Sequence, residues 1–167
     1  MRLISRMLLV LLCVAGSSAA AQELDYSNAI HLDAEALAEQ GMAEAYLRVR
    51  PALKAHVAVP LVLIEEMDAD RGVYSVKTGG RTQRIYPSPL GGNEYESWGV
   101  ATAAFFAIVN RQLGKAPVKL YALNAGNDLM GIFLTERQAT AARKNEKRRA
   151  EWPYLPSMRA PRFGQYQ

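Results

Sequence analysis

Apolar residues recur at Ala38, Met42, Ala45, Val49 and Leu53. The intervals of three and four place them on one face of a helix that begins after an N-cap at Asp33. Glu44 and Arg48, four apart, are placed to pair on its outer side. Gly41 weakens the helix from within, and Pro51 is expected to kink or end it. The pattern then changes. Leu61–Met67 reads as a strand behind Pro60, and Asp68–Gly72 as a turn. Val73–Thr78 reads as a second strand, with Tyr74 and Val76 on one face. Gly79-Gly80 predicts a two-residue hairpin, since both positions tolerate positive φ. Arg81–Tyr86 returns as a third strand, stopped by Pro87 and Pro89.

Helical spacing resumes after Asn93. Asn93 with Glu96 forms a capping-box pattern, and the helix runs to Leu113, where Gly114 and Pro117 close it. Val100–Val109 is apolar nearly all round, which predicts a central buried helix. It is about half the length that a bilayer requires. Val118–Asn124 and Leu129–Thr135 read as two strands around a second hairpin at Ala125–Asp128. Thr135 with Gln138 repeats the capping-box pattern and opens a last helix to about Arg149. Pro153, Pro156 and Pro161 keep the tail extended. The expected fold is α+β: a single domain with an antiparallel sheet of about five strands, in the order helix, three strands, helix, two strands, helix. The boundaries are a lead-in at 22–32, the α+β domain at 33–150 and a Pro/aromatic tail at 151–167.

The first 21 residues read as a secretory signal peptide. Arg2 and Arg6 precede the apolar run Met7–Gly16, and Ala19-Ala20-Ala21 supplies small residues for cleavage after Ala21. Leu12, where a lipobox wants a small residue, argues against lipidation of Cys13. Cys13 is the chain's one cysteine, so the mature chain has none. It also has no Asn-x-Ser/Thr sequon. Together these features point to a bacterial periplasm.

Composition narrows the chemistry. The 167 residues are 50% hydrophobic, which suits one folded core rather than a disordered chain. The formal charge is +4, but loss of the leader arginines leaves 18 basic against 16 acidic residues. The charge is unevenly distributed. From Glu136 onward 8 basic residues face 3 acidic ones, whereas Gln22–Thr135 carries 10 against 13. One Cys and two His exclude a disulfide scaffold, a Cys-rich zinc site and a multi-His metal cluster. His31 and His56 have no Gly-x-Ser-x-Gly elbow, His-Glu-x-x-His or nucleophilic cysteine beside them. No phosphate-binding glycine loop is present, and no cofactor or metal is expected. The acidic cluster Glu65, Glu66, Asp68 and Asp70 lacks the positions of a calcium loop. On an alternating strand Glu65 and Glu66 face opposite ways.

Two stretches remain as partner-binding candidates. The second hairpin concentrates Asn124, Asn127 and Asp128 at its tip, where turn chemistry also favours such residues. The C-terminal stretch joins Lys147, Arg148 and Arg149 to Trp152 and Tyr154. Clustered cations suit an anionic surface, and Trp and Tyr are rich in contact area. The alternative is that Trp152 and Leu155 fold back and tie the tail to the sheet. Trp98, Phe105 and Phe106 are expected in the core. Helix, three strands and helix in that order is similar to the double-stranded-RNA-binding fold. The basic glycine-lysine loop of that family is absent, and no nucleic-acid partner is expected.

The expected function is that of an exported, non-enzymatic protein that binds another protein in the periplasm, for example an immunity-type inhibitor of a toxin acting there. One alternative is an envelope-associated protein binding lipid or a small ligand, with its basic helix on an anionic membrane surface. A second is a hydrolase without a visible motif, using Asp128 or Glu66.

Overall fold

A computed structural model describes residues 24–159. The leader expected at 1–21 and the end of the tail lie outside the described residues. Six strands and four α-helices follow in order: β1 (Ile30–His31), α1 (Ala34–Ala38), α2 (Met42–Leu53), β2 (Leu63–Asp68), β3 (Val73–Thr78), β4 (Arg81–Tyr86), α3 (Glu94–Leu113), β5 (Val118–Leu123), β6 (Met130–Thr135) and α4 (Glu136–Asn145). The fold class is α+β. The strands form two antiparallel three-stranded sheets, ordered β1-β6-β5 and β2-β3-β4, rather than the one sheet of about five expected. The added strand is β1, in the lead-in, where Ile30 pairs with Gly131 and His31 with Met130. Two residues carry no legible alternation, so β1 exists only because β6 offers an edge.

The helix expected from Asp33 to Leu53 is two helices. Asp33 caps the first as expected, its side chain accepting from the Glu35 and Ala36 amides. Gln40 then adopts φ 68° and the Gly41 amide donates to Ala36 O at 2.8 Å. This is a left-handed C-terminal closure with glutamine where glycine is usual. Glycine is needed one position later, because a Cβ on Gly41 would lie 2.5 Å from Ala36 O. All five residues of the expected apolar face are nevertheless buried. Glu44 and Arg48 pair at 3.5 Å.

Local signals elsewhere act where the sequence places them. Gly79 and Gly80 turn β3 into β4 with φ 53° and 73°. Both capping boxes form, at Asn93 with Glu96 and at Thr135 with Gln138. Helix α4 stops at Asn145 rather than Arg149, and a 3₁₀ turn, Arg149–Glu151, follows. No described helix is long and apolar enough to cross a membrane.

The long helix α3 packs against both sheets. The main core gathers Tyr74, Val76 and Ile85 from one sheet, Leu120 and Ala122 from the other with Leu129 just ahead of β6, and Phe105 and Phe106 between them. A second apolar layer, Tyr121, Leu123, Ile132, Leu134 and Ala139, fills the far face of β5-β6 beneath α4. The β5-β6 sheet is therefore covered on both faces. The β2-β3-β4 sheet presents Glu66, Lys77, Thr82 and Arg84 outward, with Glu66 and Lys77 paired at 2.5 Å.

Candidate functional site

The second hairpin is bound into the fold rather than projecting from it. Asn127 is exposed, but its carbonyl lies 3.0 Å from His31 Nε2 and its side-chain amide donates to Glu35 at 3.0 Å. Asn124, at φ 56°, uses its carbonyl to accept the Tyr154 hydroxyl at 2.8 Å. Asp128 is exposed in a 3₁₀ turn.

The C-terminal stretch is likewise engaged. Arg148 pairs with Glu151 at 2.5 Å and with Glu146 at 3.8 Å. The Arg149 guanidinium lies 5.3 Å from the Trp152 ring centroid, and the Trp152 indole donates to Glu146 O at 2.8 Å. Lys147 is exposed. Tyr154 is 4% exposed and its backbone exchanges hydrogen bonds with Ala122, at 2.8 and 3.0 Å. The residue that ties the tail to the sheet is therefore Tyr154, beside buried Pro153; Leu155 stays exposed. A shallow 310 Å³ cavity between this stretch and the lead-in is lined by Leu24, Tyr26, Glu146, Arg148, Glu151 and Pro153.

A 470 Å³ cavity lies where the α1–α2 junction, the end of β2-β3-β4 and the start of α3 meet. Its aromatic lining comes from Tyr74, Tyr86 and Trp98, with Met67 beside them. Tyr86 and Met67 are 49% and 46% exposed, so the cavity opens to solvent. Tyr95 stands edge-on to Trp98 with ring centroids 5.0 Å apart. Glu39 and Gln40 line the junction side and Glu94 and Ser97 the α3 side. Ser97 is 3% exposed and makes no side-chain hydrogen bond among the described residues.

Local structure explains this placement. The left-handed turn at Gln40 sets Glu39 and Gln40 at the mouth. Glu94 stands in the first turn of α3, where the helix macrodipole favours an anion. Glu39 lies at the C-terminal end of α1, where no such attraction operates. Neither carboxylate joins an ion pair among the described residues.

Tyr74 forms the floor. It is 1% exposed, and its hydroxyl donates to Glu65 at 2.5 Å. Glu65 also accepts the Met42 amide at 2.8 Å, at the N-terminus of α2. Burial first, then the adjacent carboxylate, pushes the Tyr74 hydroxyl far above its usual range. The phenol stays neutral and holds Glu65 against α2. Glu66 faces the other way, as the alternation predicted, so the two carboxylates cannot act on one atom.

Trp98, expected in the core, packs against it while half-buried and also lines this cavity, whereas the sequence did not single out Tyr86, Glu39 or Glu94. The missed signal was the run Tyr95-Glu-Ser-Trp98 at a capped helix start, where Tyr95 is exposed on the first turn and Trp98 follows half-buried. Comparison with protein-family models, curated proteins and solved structures finds no match for this chain.

Proposed function

We propose that this chain is an exported, non-enzymatic protein that acts by binding another protein in the periplasm, with inhibition of a toxin acting there as its concrete form. The observation that carries the reading is the open cavity walled by Tyr86, Trp98 and Met67. Tyr, Trp and Met are enriched where proteins meet, because they supply large contact area at low cost in ordering. The binding surface is thus moved from the second hairpin and the tail to the mouth of this cavity. The engagement of Asn127, Arg148 and Tyr154 within the fold favours that change.

The test is capture from periplasmic extract of the source cell on immobilised mature chain, with Tyr86→Ala/Trp98→Ala beside the wild type. The wild type is expected to retain one partner at a stoichiometric level, and the double variant, with unchanged circular dichroism, to lose it. No stoichiometric partner, or equal retention by both, overturns the reading. Cell fractionation tests the export part: the chain is expected in the periplasm with its first 21 residues removed.

A further inference from the structure

The cavity carries more information than its aromatic walls. Its lining includes two carboxylates and no lysine, arginine or histidine. Tyr74, Tyr86 and Trp98 add ring faces and edges around the same space. A positive charge is attracted to the face of an aromatic ring within about 6 Å, most strongly to Trp. A carboxylate at the mouth adds a direct ion pair, modest in size because Glu39 and Glu94 are both exposed to solvent. Met67 and the ring surfaces suit an alkyl stem, which long cationic side chains bury while keeping the charge at a polar end. Ser97 offers a further hydrogen-bond acceptor from the wall.

We infer that the cavity receives a lysine or arginine side chain of the protein partner, its stem against Met67 and Trp98 and its cationic head between Glu39 and Glu94. This rests on the protein-binding reading above and names the chemistry that the partner must present. Charge complementarity selects this occupant. An anionic group would meet two like charges, and a purely apolar side chain would gain nothing from either carboxylate. The segment that supplies every lining group, residues 22–135, agrees in sign, with 10 basic against 13 acidic side chains, whereas the chain from Glu136 onward is basic.

The test uses the mature chain, isotope-labelled, titrated with the tripeptides Ala-Lys-Ala, Ala-Arg-Ala and Ala-Leu-Ala, and separately with choline. Amide and indole resonances of Trp98 and Gln40 are the readout. The lysine or arginine peptide is expected to shift them saturably, with the leucine peptide at least about ten-fold weaker, a difference of about 1.4 kcal/mol. Glu39→Gln/Glu94→Gln is expected to weaken the cationic peptide by a similar factor while leaving the circular dichroism spectrum unchanged. Equal shifts with the leucine peptide, no shift with either cationic peptide, or indifference to the double substitution overturns the inference. Binding of choline alone also overturns it, since the site would then serve a small quaternary ammonium ligand. The two proposals fail separately. Peptide binding without a captured partner defeats only the protein-binding reading. A partner captured equally by wild type and Glu39→Gln/Glu94→Gln defeats only the cation assignment.

Discussion

The two sheets of this protein are treated in opposite ways. The β1-β6-β5 sheet is covered on both faces, by α3 on one and α4 on the other, and the tail adds an antiparallel bridge to β5 through Tyr154. Its polar groups are matched to partners from the same chain. Asn110 spans α3 to Leu120 with hydrogen bonds of 2.7 and 2.9 Å, and Arg143 of α4 donates to Pro153 O at 2.9 Å. The β2-β3-β4 sheet is covered on one face, and at its end Trp98, packed against the main core on one side, lines an open cavity with Tyr86 and two carboxylates. Aromatic residues occur in both regions. Where aromatic and charged groups are enclosed they stabilise the fold; where they line an open concave site their solvent-facing edges are available to another molecule.

Substitutions can break that comparison, and the largest effect is expected between two tyrosines. Tyr154→Ala removes a buried ring and its hydrogen bond to Asn124, and should cost about 3–5 kcal/mol in denaturant unfolding. Tyr86→Ala at the half-exposed wall should change stability by about 0.5 kcal/mol or less. Equal costs would mean that the cavity wall is structural after all.

The helix caps sharpen the contrast at intermediate size. Thr135→Ala, at the start of α4 over the closed sheet, and Asn93→Ala, at the start of α3 beside the cavity, should each cost about 1 kcal/mol. Only Asn93→Ala is expected also to weaken partner binding, because it loosens the turn that carries Glu94 and Tyr95. Unfolding and binding measured on the same two variants check this.

The smallest effect concerns pH. Burial first, then the bonded Glu136 carboxylate, pushes the Tyr121 hydroxyl from 10.0 up to about 12, and the same hydrogen bond lowers Glu136. A raised tyrosine contributes stability that is intact below its ordinary value near 10 and is lost as pH rises through about 12. A lowered glutamate contributes above its ordinary value of 4.5 and loses that contribution as pH falls through its depressed one. Tyr121→Phe should therefore flatten the alkaline loss and move the Glu136 carboxyl titration, followed by NMR, upward toward the ordinary value. An unmoved Glu136 would show that Arg143, 3.6 Å away, holds it instead.

Much of this architecture is legible without coordinates. Strands β3 and β4, the glycine hairpin, α3 with both its ends, and the two capping boxes rest on short-range chemistry: alternation, positive φ and side chains that bond amides three residues away. The buried face from Ala38 to Leu53 was equally legible, because burial follows periodicity even across a break in the helix. The break was hidden because glutamine, not glycine, took the left-handed position, and only the contact of Gly41 with Ala36 shows why.

The sequence alone determined the element types, most of their limits and which faces are apolar, since these depend on neighbours within a few residues. Tertiary structure alone decided that the strands divide into two sheets and that β1 joins β6. It also decided that Tyr154 ties down the tail and that Glu39, Tyr86, Glu94 and Trp98 share one cavity. Those outcomes depend on residues tens of positions apart meeting in space, which no local pattern encodes.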